Sequence, residues 1–255
     1  MNVENIGQPV ALIIDESKKN NNTVLSIEPK KDAVVTYLTS LDLTPKKEQK
    51  FQQIPNVNVE RTILYVTGAS GSGKSYYTKN FCDCYKKIFP KREIYLFSSL
   101  TDDSSIDKIK GLKRIKITPE FLNEDISAKD FENSLVIFDD TDCITDKKTK
   151  MKIQAILNSV LETGRHFNIS VVYTSHTACN GNDTKKILNE AHSITIFPTG
   201  LGGRSLKYLL DQYLGLDKEQ IRKIKKLESR WVTILKSYPM VVLSEKEAYV
   251  LNPKD

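Results

Sequence analysis

Residues 62–67 (Thr-Ile-Leu-Tyr-Val-Thr) form an unbroken apolar, β-branched run. Residues 75–89 then place Tyr77, Phe81, Cys84, Tyr85 and Ile88 at helical spacing, and Pro90 stops the pattern. Between strand and helix lies Gly68-Ala69-Ser70-Gly71-Ser72-Gly73-Lys74-Ser75, a match to G-x-x-x-x-G-K-[ST] in the strand–loop–helix setting that gives this motif its meaning. The chemistry needs these residue types. Glycines let backbone N–H groups curl inward around phosphate oxygens, and the helix N-terminus adds the positive end of its dipole. A lysine at position 74 reaches β- and γ-phosphates, and a serine hydroxyl at position 75 ligates Mg²⁺. Gly68 to Ser75 is therefore the candidate site for ATP with Mg²⁺.

Downstream the chain keeps alternating. Residues 93–98, 135–138, 169–174 and 193–197 read as strands. Residues 148–163 carry Ile153, Ile156, Leu157, Val160 and Leu161 on one helical face, with Gly164 where a left-handed C′ glycine belongs. Leu206, Leu209, Leu210, Tyr213 and Leu214 mark another helix, and Asp217 with Gln220 forms a capping-box pattern for one running to Glu228. Residues 231–235, 241–242 and 248–251 predict strands that add antiparallel pairs. Apolar strands alternating with helices predict an α/β fold, a mostly parallel sheet flanked by helices, with its ligand beyond the C-terminal strand ends. The strand 135–138 ends there in Asp139-Asp140. Asp139 is placed to hold Mg²⁺ through water, and Asp140, pointing elsewhere, to polarise an attacking water.

The first fifty-odd residues differ: short strands at 10–14 and 24–27, an apolar run at 33–43 and a polar stretch at 44–53. This divides the 255 residues into an N-terminal extension, 1–58, suited to contacting another subunit, and an ATPase domain, 59–255. Hydrophobic residues make up 39% and charged residues 27%, enough apolar material for a large core. The net charge of +6 comes from lysine: 38 basic residues less seven Arg leaves 31 Lys, against 32 acids. That balance suits a polyanionic partner without demanding one. Lys108, Lys110, Lys113, Arg114 and Lys116, and the loop 180–186, are candidates for DNA-backbone contact or solvated surface. Cys82, Cys84, Cys143 and Cys179 follow no zinc spacing, and His166, His176 and His192 form no metal motif. No apolar run approaches membrane-spanning length, and residues 10–14 are too short for a signal-peptide core. An intracellular chain without a membrane span is expected.

The segment Leu161-Glu-Thr-Gly-Arg165-His166, continuing through the strand to Thr174-Ser175-His176, resembles the FtsK/HerA superfamily of ASCE P-loop ATPases. Within it, the closest likeness is to the genome-packaging ATPases of nucleocytoplasmic large DNA viruses, virophages and Polinton-like elements. These are similar also in the stretch Ser229-Arg230-Trp231, Tyr238-Pro239 and residues 244–251. The likeness covers about residues 60–252. It implies a double-stranded DNA pump working as a homo-oligomeric ring, pentameric or hexameric, with a capsid or portal-vertex protein as partner, in the host cytoplasm, viral factory or virion. It also implies that Arg165 is an arginine finger supplied to a neighbour, with Arg204 and Arg230 as other candidates, and that His176 or Ser175 senses the nucleotide. Two positions depart from the superfamily: Asp140 stands where Glu is usual and His176 where Gln is usual. Another P-loop ATPase such as a helicase, or an ATP-binding assembly protein with little turnover, stays open as an alternative. A small-molecule kinase would show an Arg-rich lid, and the seven arginines here are scattered.

Overall fold

The computed structural model describes residues 1, 3, 7–15, 17, 23–27, 49–237 and 239–251. Its strands β1 (Gln8–Asp15), β2 (Val24–Ile27) and β3 (Gln49–Gln53) form a small antiparallel sheet in the order β2-β1-β3. β4 (Ile63–Thr67) leads through the glycine-rich loop into α1 (Lys74–Ile88), followed by β5 (Glu93–Ser98), β6 (Leu112–Arg114) and β7 (Ser134–Asp139). Then come α2 (Lys147–Thr163), β8 (Ser170–Ser175), α3 (Gly181–Glu190), β9 (Ser193–Ile196), α4 (Gly203–Tyr208) and α5 (Lys218–Lys225). β10 (Val232–Leu235), β11 (Met240–Ser244) and β12 (Ala248–Leu251) complete a nine-stranded sheet, ordered β12-β11-β10-β9-β4-β8-β7-β5-β6. From β9 to β6 the neighbours run parallel, and β10 to β12 are added antiparallel. This is the expected α/β P-loop architecture with antiparallel C-terminal strands.

Both faces of the central strands are covered, which is why their sequences are apolar without alternation. Ile63 and Tyr65 of β4 pack toward α2 residues Ile153, Leu157 and Leu161. Leu64 and Val66 face the other way, into a core with Phe81 and Tyr85 of α1. Val10, Leu25 and Phe51 of the small sheet and Leu243 of β11 join that second core. A buried hydroxyl–amide network ties the layers together. Tyr77 Oη donates to Gln53 Oε1 (2.6 Å) and lies 2.9 Å from Thr233 Oγ1, while Gln53 Nε2 donates to Ser193 Oγ at 2.8 Å. The helix that follows the glycine-rich loop is thus fixed against β3, β9 and β10 at once.

Several local expectations change. Gly164 is right-handed (φ −62°), not left-handed. A side chain there would collide with the Val160 carbonyl and approach Arg61 Nη1 to 3.0 Å. Arg61 needs that space: it donates to Val160 O (2.9 Å) and Leu161 O (2.7 Å), satisfying the end of α2. Asp217 and Gln220 do make the capping box, but the helix ends at Lys225 rather than Glu228. Of the segment 180–186, residues 181–186 belong to helix α3 rather than to a loop, with Asn180 as its N-cap, and the polar stretch 44–53 ends in strand β3. The apolar run 33–43 lies outside the described residues.

Candidate active site

The loop leaves the C-terminal edge of the sheet between two parallel neighbours. Phe197 N–H donates to Thr67 O at 2.9 Å, and Gly68 N–H to Ser175 O at 3.2 Å. Two of its glycines take positive φ, Gly71 at 73° and Gly73 at 112°, which turns the backbone inward. Gly68 is needed for space: a Cβ there would lie 2.6 Å from Ser72 Oγ and 2.7 Å from Phe197 Cβ. Gly200 brings the loop after β9 over the motif, its own Cβ position being 3.0 Å from Ala69 Cβ. Ser70 and Ser75 flank the turn, and Ser75 is half-buried at the start of α1. Ser72 Oγ is buried with no hydrogen-bond partner among the described residues.

Lys74 is almost fully buried, its side chain 6% exposed. Its ammonium donates to Gly68 O (3.0 Å), lies 3.1 Å from His176 Nδ1 and 3.8 Å from Asp140 Oδ1. An ammonium can only donate, so His176 Nδ1 accepts and the ring proton sits on Nε2. That Nε2–H faces Asp140 Oδ2 at 2.9 Å. Lys74, His176 and Asp140 therefore close a triangle of polar contacts beside the loop.

The two acids part because their backbones part. Asp139 ends β7 in extended conformation, whereas Asp140 is left-handed (φ 46°, ψ 34°). A non-glycine residue in that region is strained, and Asp tolerates it better than most. The turn leaves Asp139 in the sheet, 2% exposed, and swings Asp140 to face Lys74 and His176. Burial, and then the neighbouring Asp140 charge, push the Asp139 carboxyl up to about 6, against hydrogen bonds from Thr174 and Ser98 that pull it down. Thr174 Oγ1 lies 2.8 Å from Asp139 Oδ1 and 3.1 Å from Asp140 Oδ1, and accepts the Asp140 N–H at 3.0 Å. Ser98 Oγ donates to Asp139 Oδ2 at 3.2 Å. One serine hydroxyl and one carboxylate, Ser75 and Asp139, are hard oxygen donors of the kind Mg²⁺ takes together with water and phosphate.

The structure brings the loop, Lys74, Asp139, Asp140 and His176 to one place. Arg165 is elsewhere. It precedes β8, at the opposite end of that strand from Ser175, and a six-residue strand spans about 17–20 Å. Arg165 Nε donates to Glu60 Oε2 at 2.6 Å, with both side chains largely exposed. That hydrogen bond, and then the guanidinium charge, hold the Glu60 carboxyl below its ordinary value. Arg204 is exposed on α4. Arg230 lies on the phosphate loop of its own chain, its Nε–H donating to Ser72 O at 2.9 Å. Ser175 Oγ donates to Asp142 Oδ2 at 2.8 Å.

Thr174 and Ser98 escaped the sequence reading. Each is the polar residue at or near the end of an apolar strand, and the parallel register sets Ser98 directly opposite Asp139. In-register alignment of the strand ends would have found both.

The chain is 41% identical over 207 residues to the V3 protein of Sputnik virophage, covering 80% of this chain and 82% of that protein. No protein-family model matches it. Its structure is similar to B204, the DNA-packaging ATPase of Sulfolobus turreted icosahedral virus, with TM-score 0.51 and 17% identity, covering 78% of this chain and all 100% of B204. It is also similar to the cytoplasmic domain of the type VII secretion ATPase EccC of Thermomonospora curvata, with TM-score 0.50 and 12% identity, over 76% of this chain and 26% of that one. At such identities these likenesses establish the shared fold. Among the described residues, no helix is long and apolar enough to cross a membrane.

Proposed function

The chain belongs to the family of the Sputnik virophage V3 protein, and from that premise we propose that it is an ATP-hydrolysing double-stranded DNA translocase, a motor that packages a viral genome. One observation carries the reading. A complete phosphate loop faces two acids at the end of β7, one strand removed from β4, and the loop lysine lies 3.8 Å from one of them. B204, which shares the fold, is a DNA-packaging ATPase, and its activity suggests the motor reading.

In this reading Gly68 to Ser75 wrap the phosphates and Lys74 turns from Gly68 O toward the β- and γ-oxygens. Ser75 and, through water, Asp139 would hold Mg²⁺, which would supply charge neutralisation at the phosphates when bound. Asp140 orients the attacking water, with Thr174 fixing the carboxylate. His176 keeps its Nε2–H where it can leave Asp140 and donate to the terminal phosphate.

Arg165 lies far from the loop of its own chain, and in this reading it serves a neighbour's site, in a ring of five or six copies. Residues 59–255 form the motor unit, and 1–58 an extension available for subunit contact. Exposed Lys108, Lys110, Lys113 and Lys116 suit the DNA backbone. A capsid or portal-vertex protein would dock the ring, in the host cytoplasm, viral factory or virion.

Single-turnover ATP hydrolysis by the full chain, with and without double-stranded DNA, tests the reading. Hydrolysis should require Mg²⁺, rise with DNA and vanish in Lys74→Ala. A Lys74→Ala rate equal to wild type contradicts the phosphate-loop assignment, and a rate indifferent to DNA contradicts the motor.

A further inference from the structure

Two side chains beside the phosphate loop take no part in the chemistry above. Tyr76, just past the motif, is 63% exposed, an unusual state for an aromatic ring at the mouth of a buried site. Arg230 stands against the same turn. Its Nε–H holds Ser72 O at 2.9 Å, and its Cζ lies 3.5 Å from the point where a Cβ on Gly73 would stand. Gly73 is the N-cap of α1, and Tyr76 lies in the first turn of that helix. The phenol ring and the guanidinium thus both belong to the N-terminal end of α1, and Ser72 O is the sole hydrogen-bond partner of the pair among the described residues.

Arg230 is held firmly in that position. The next residue, Trp231, is buried, with its ring centroid 5.0 Å from that of Tyr77 on α1. Ser229 Oγ donates to Trp231 O at 2.7 Å and accepts the Glu245 N–H at 3.1 Å. The turn entering β10 is thus anchored both to the helix and to the C-terminal strands.

Topology says which end of a nucleotide meets these groups. Lys74, Asp139, Asp140 and His176 lie toward β8 and β7, on one side of β4. Arg230 opens β10, which pairs with β9 on the other side. A nucleotide with its terminal phosphate toward the acids must run its nucleoside toward β9 and β10. Given the ATPase reading of this site, we infer that Tyr76 and Arg230 hold the nucleoside end of the nucleotide, stacking on the base rather than acting on the transferred phosphate. A planar guanidinium and a phenol ring are both suited to the π-face of a purine. Arg230, already engaged with its own loop, is then a positioning residue in cis and not the finger given to a neighbour.

Calorimetric titration of the full chain with ADP and, separately, with inorganic tripolyphosphate tests this. Tyr76→Ala and Arg230→Ala should each weaken ADP by about tenfold or more, the scale of a lost stacking contact. Tyr76→Phe, which keeps the ring, should bind ADP like wild type. Tripolyphosphate, which has no base, should bind Tyr76→Ala as it binds wild type, and should lose less than ADP in Arg230→Ala. ADP affinity unchanged in both alanine variants overturns the inference, as does equal loss of ADP and tripolyphosphate in Tyr76→Ala. A wild-type chain that binds neither probe overturns the phosphate-loop reading as well, so the two failures are distinguishable.

Discussion

The two edges of the nine-stranded sheet carry similar charges in opposite settings. At the C-terminal edge, Lys74 and Asp139 are buried and Asp140 is largely covered, joined through Thr174 and His176. At the N-terminal edge, Arg165 and Glu60 meet at 2.6 Å with 72% and 54% of their side chains exposed. The shorter contact is the more exposed one. Exposed pairs are screened and contribute little to the fold, whereas charges in a buried site act through a low dielectric. The difference teaches that distance does not measure what a charge is for. In the proposed reading the covered groups serve a ligand of their own chain, and the exposed Arg165 serves another copy. The site proposed here is complete only when the N-terminal edge of one copy meets the C-terminal edge of the next.

The strongest way to break this comparison is to remove the exposed arginine. Arg165→Ala should leave ATP binding near wild type, since the phosphate loop is untouched. Its hydrolysis in single-turnover assays should fall on the order of 10³-fold or more, the scale of arginine fingers. If Arg165 were only half of a surface ion pair, hydrolysis would hardly change. The next effect lies at the buried edge. Thr174→Val keeps the shape of the side chain but removes the hydroxyl between Asp139 and Asp140. Hydrolysis, or the Mg²⁺ concentration giving half-maximal rate, should worsen by about 10–100-fold, as for other groups that orient metal ligands. An unchanged Mg²⁺ dependence and rate would remove Thr174 from the site.

The smallest effect sharpens the contrast through stability. His192 is only partly covered near the N-terminal edge, where its Nδ1 faces the Ile63 N–H at 3.3 Å. Burial first, and then the charges of Arg61 and Lys236, lower its pKa from the ordinary 6.5. The folded state thus favours the neutral ring, so the stability it contributes is present above the unfolded value and is lost as pH falls below it. Between pH 7 and 5 the thermal midpoint of wild type should drop slightly more steeply than that of His192→Gln, the difference kept small because solvent reaches the ring. Parallel slopes would show that His192 does not sense the acid.

The parts of this molecule that could be read from sequence are those where one residue type answers one local need. β5, β7 and β8 are apolar because both faces are covered, and residues 68–75 are glycine-rich because the backbone must turn around phosphate. What could not be read depends on contacts distant along the chain. β3 has the sequence Gln-Lys-Phe-Gln-Gln, polar by composition, and is a strand because Gln53 bonds Tyr77 and Ser193 and Phe51 enters the core. α3 opens with Gly181, a residue typical of a turn, yet it packs Ile187 and Leu188 on the sheet. Arg230 reaches the phosphate loop only because Trp231 packs on Tyr77, more than a hundred residues away. Gly164 was read as a conformational glycine, but it is there for space, since Arg61 occupies the place of a side chain.

The shared site is tested most directly by mixing two inactive variants. Arg165→Ala keeps an intact phosphate loop, and Lys74→Ala keeps an intact Arg165. Native mass spectrometry would establish that mixed assemblies form. In them, some contacts would pair a working loop with a neighbour's arginine, and ATP hydrolysis should return to a measurable fraction of wild type. Mixed assemblies with no more activity than the separate variants would contradict a site divided between copies and leave Arg165 as a surface partner of Glu60.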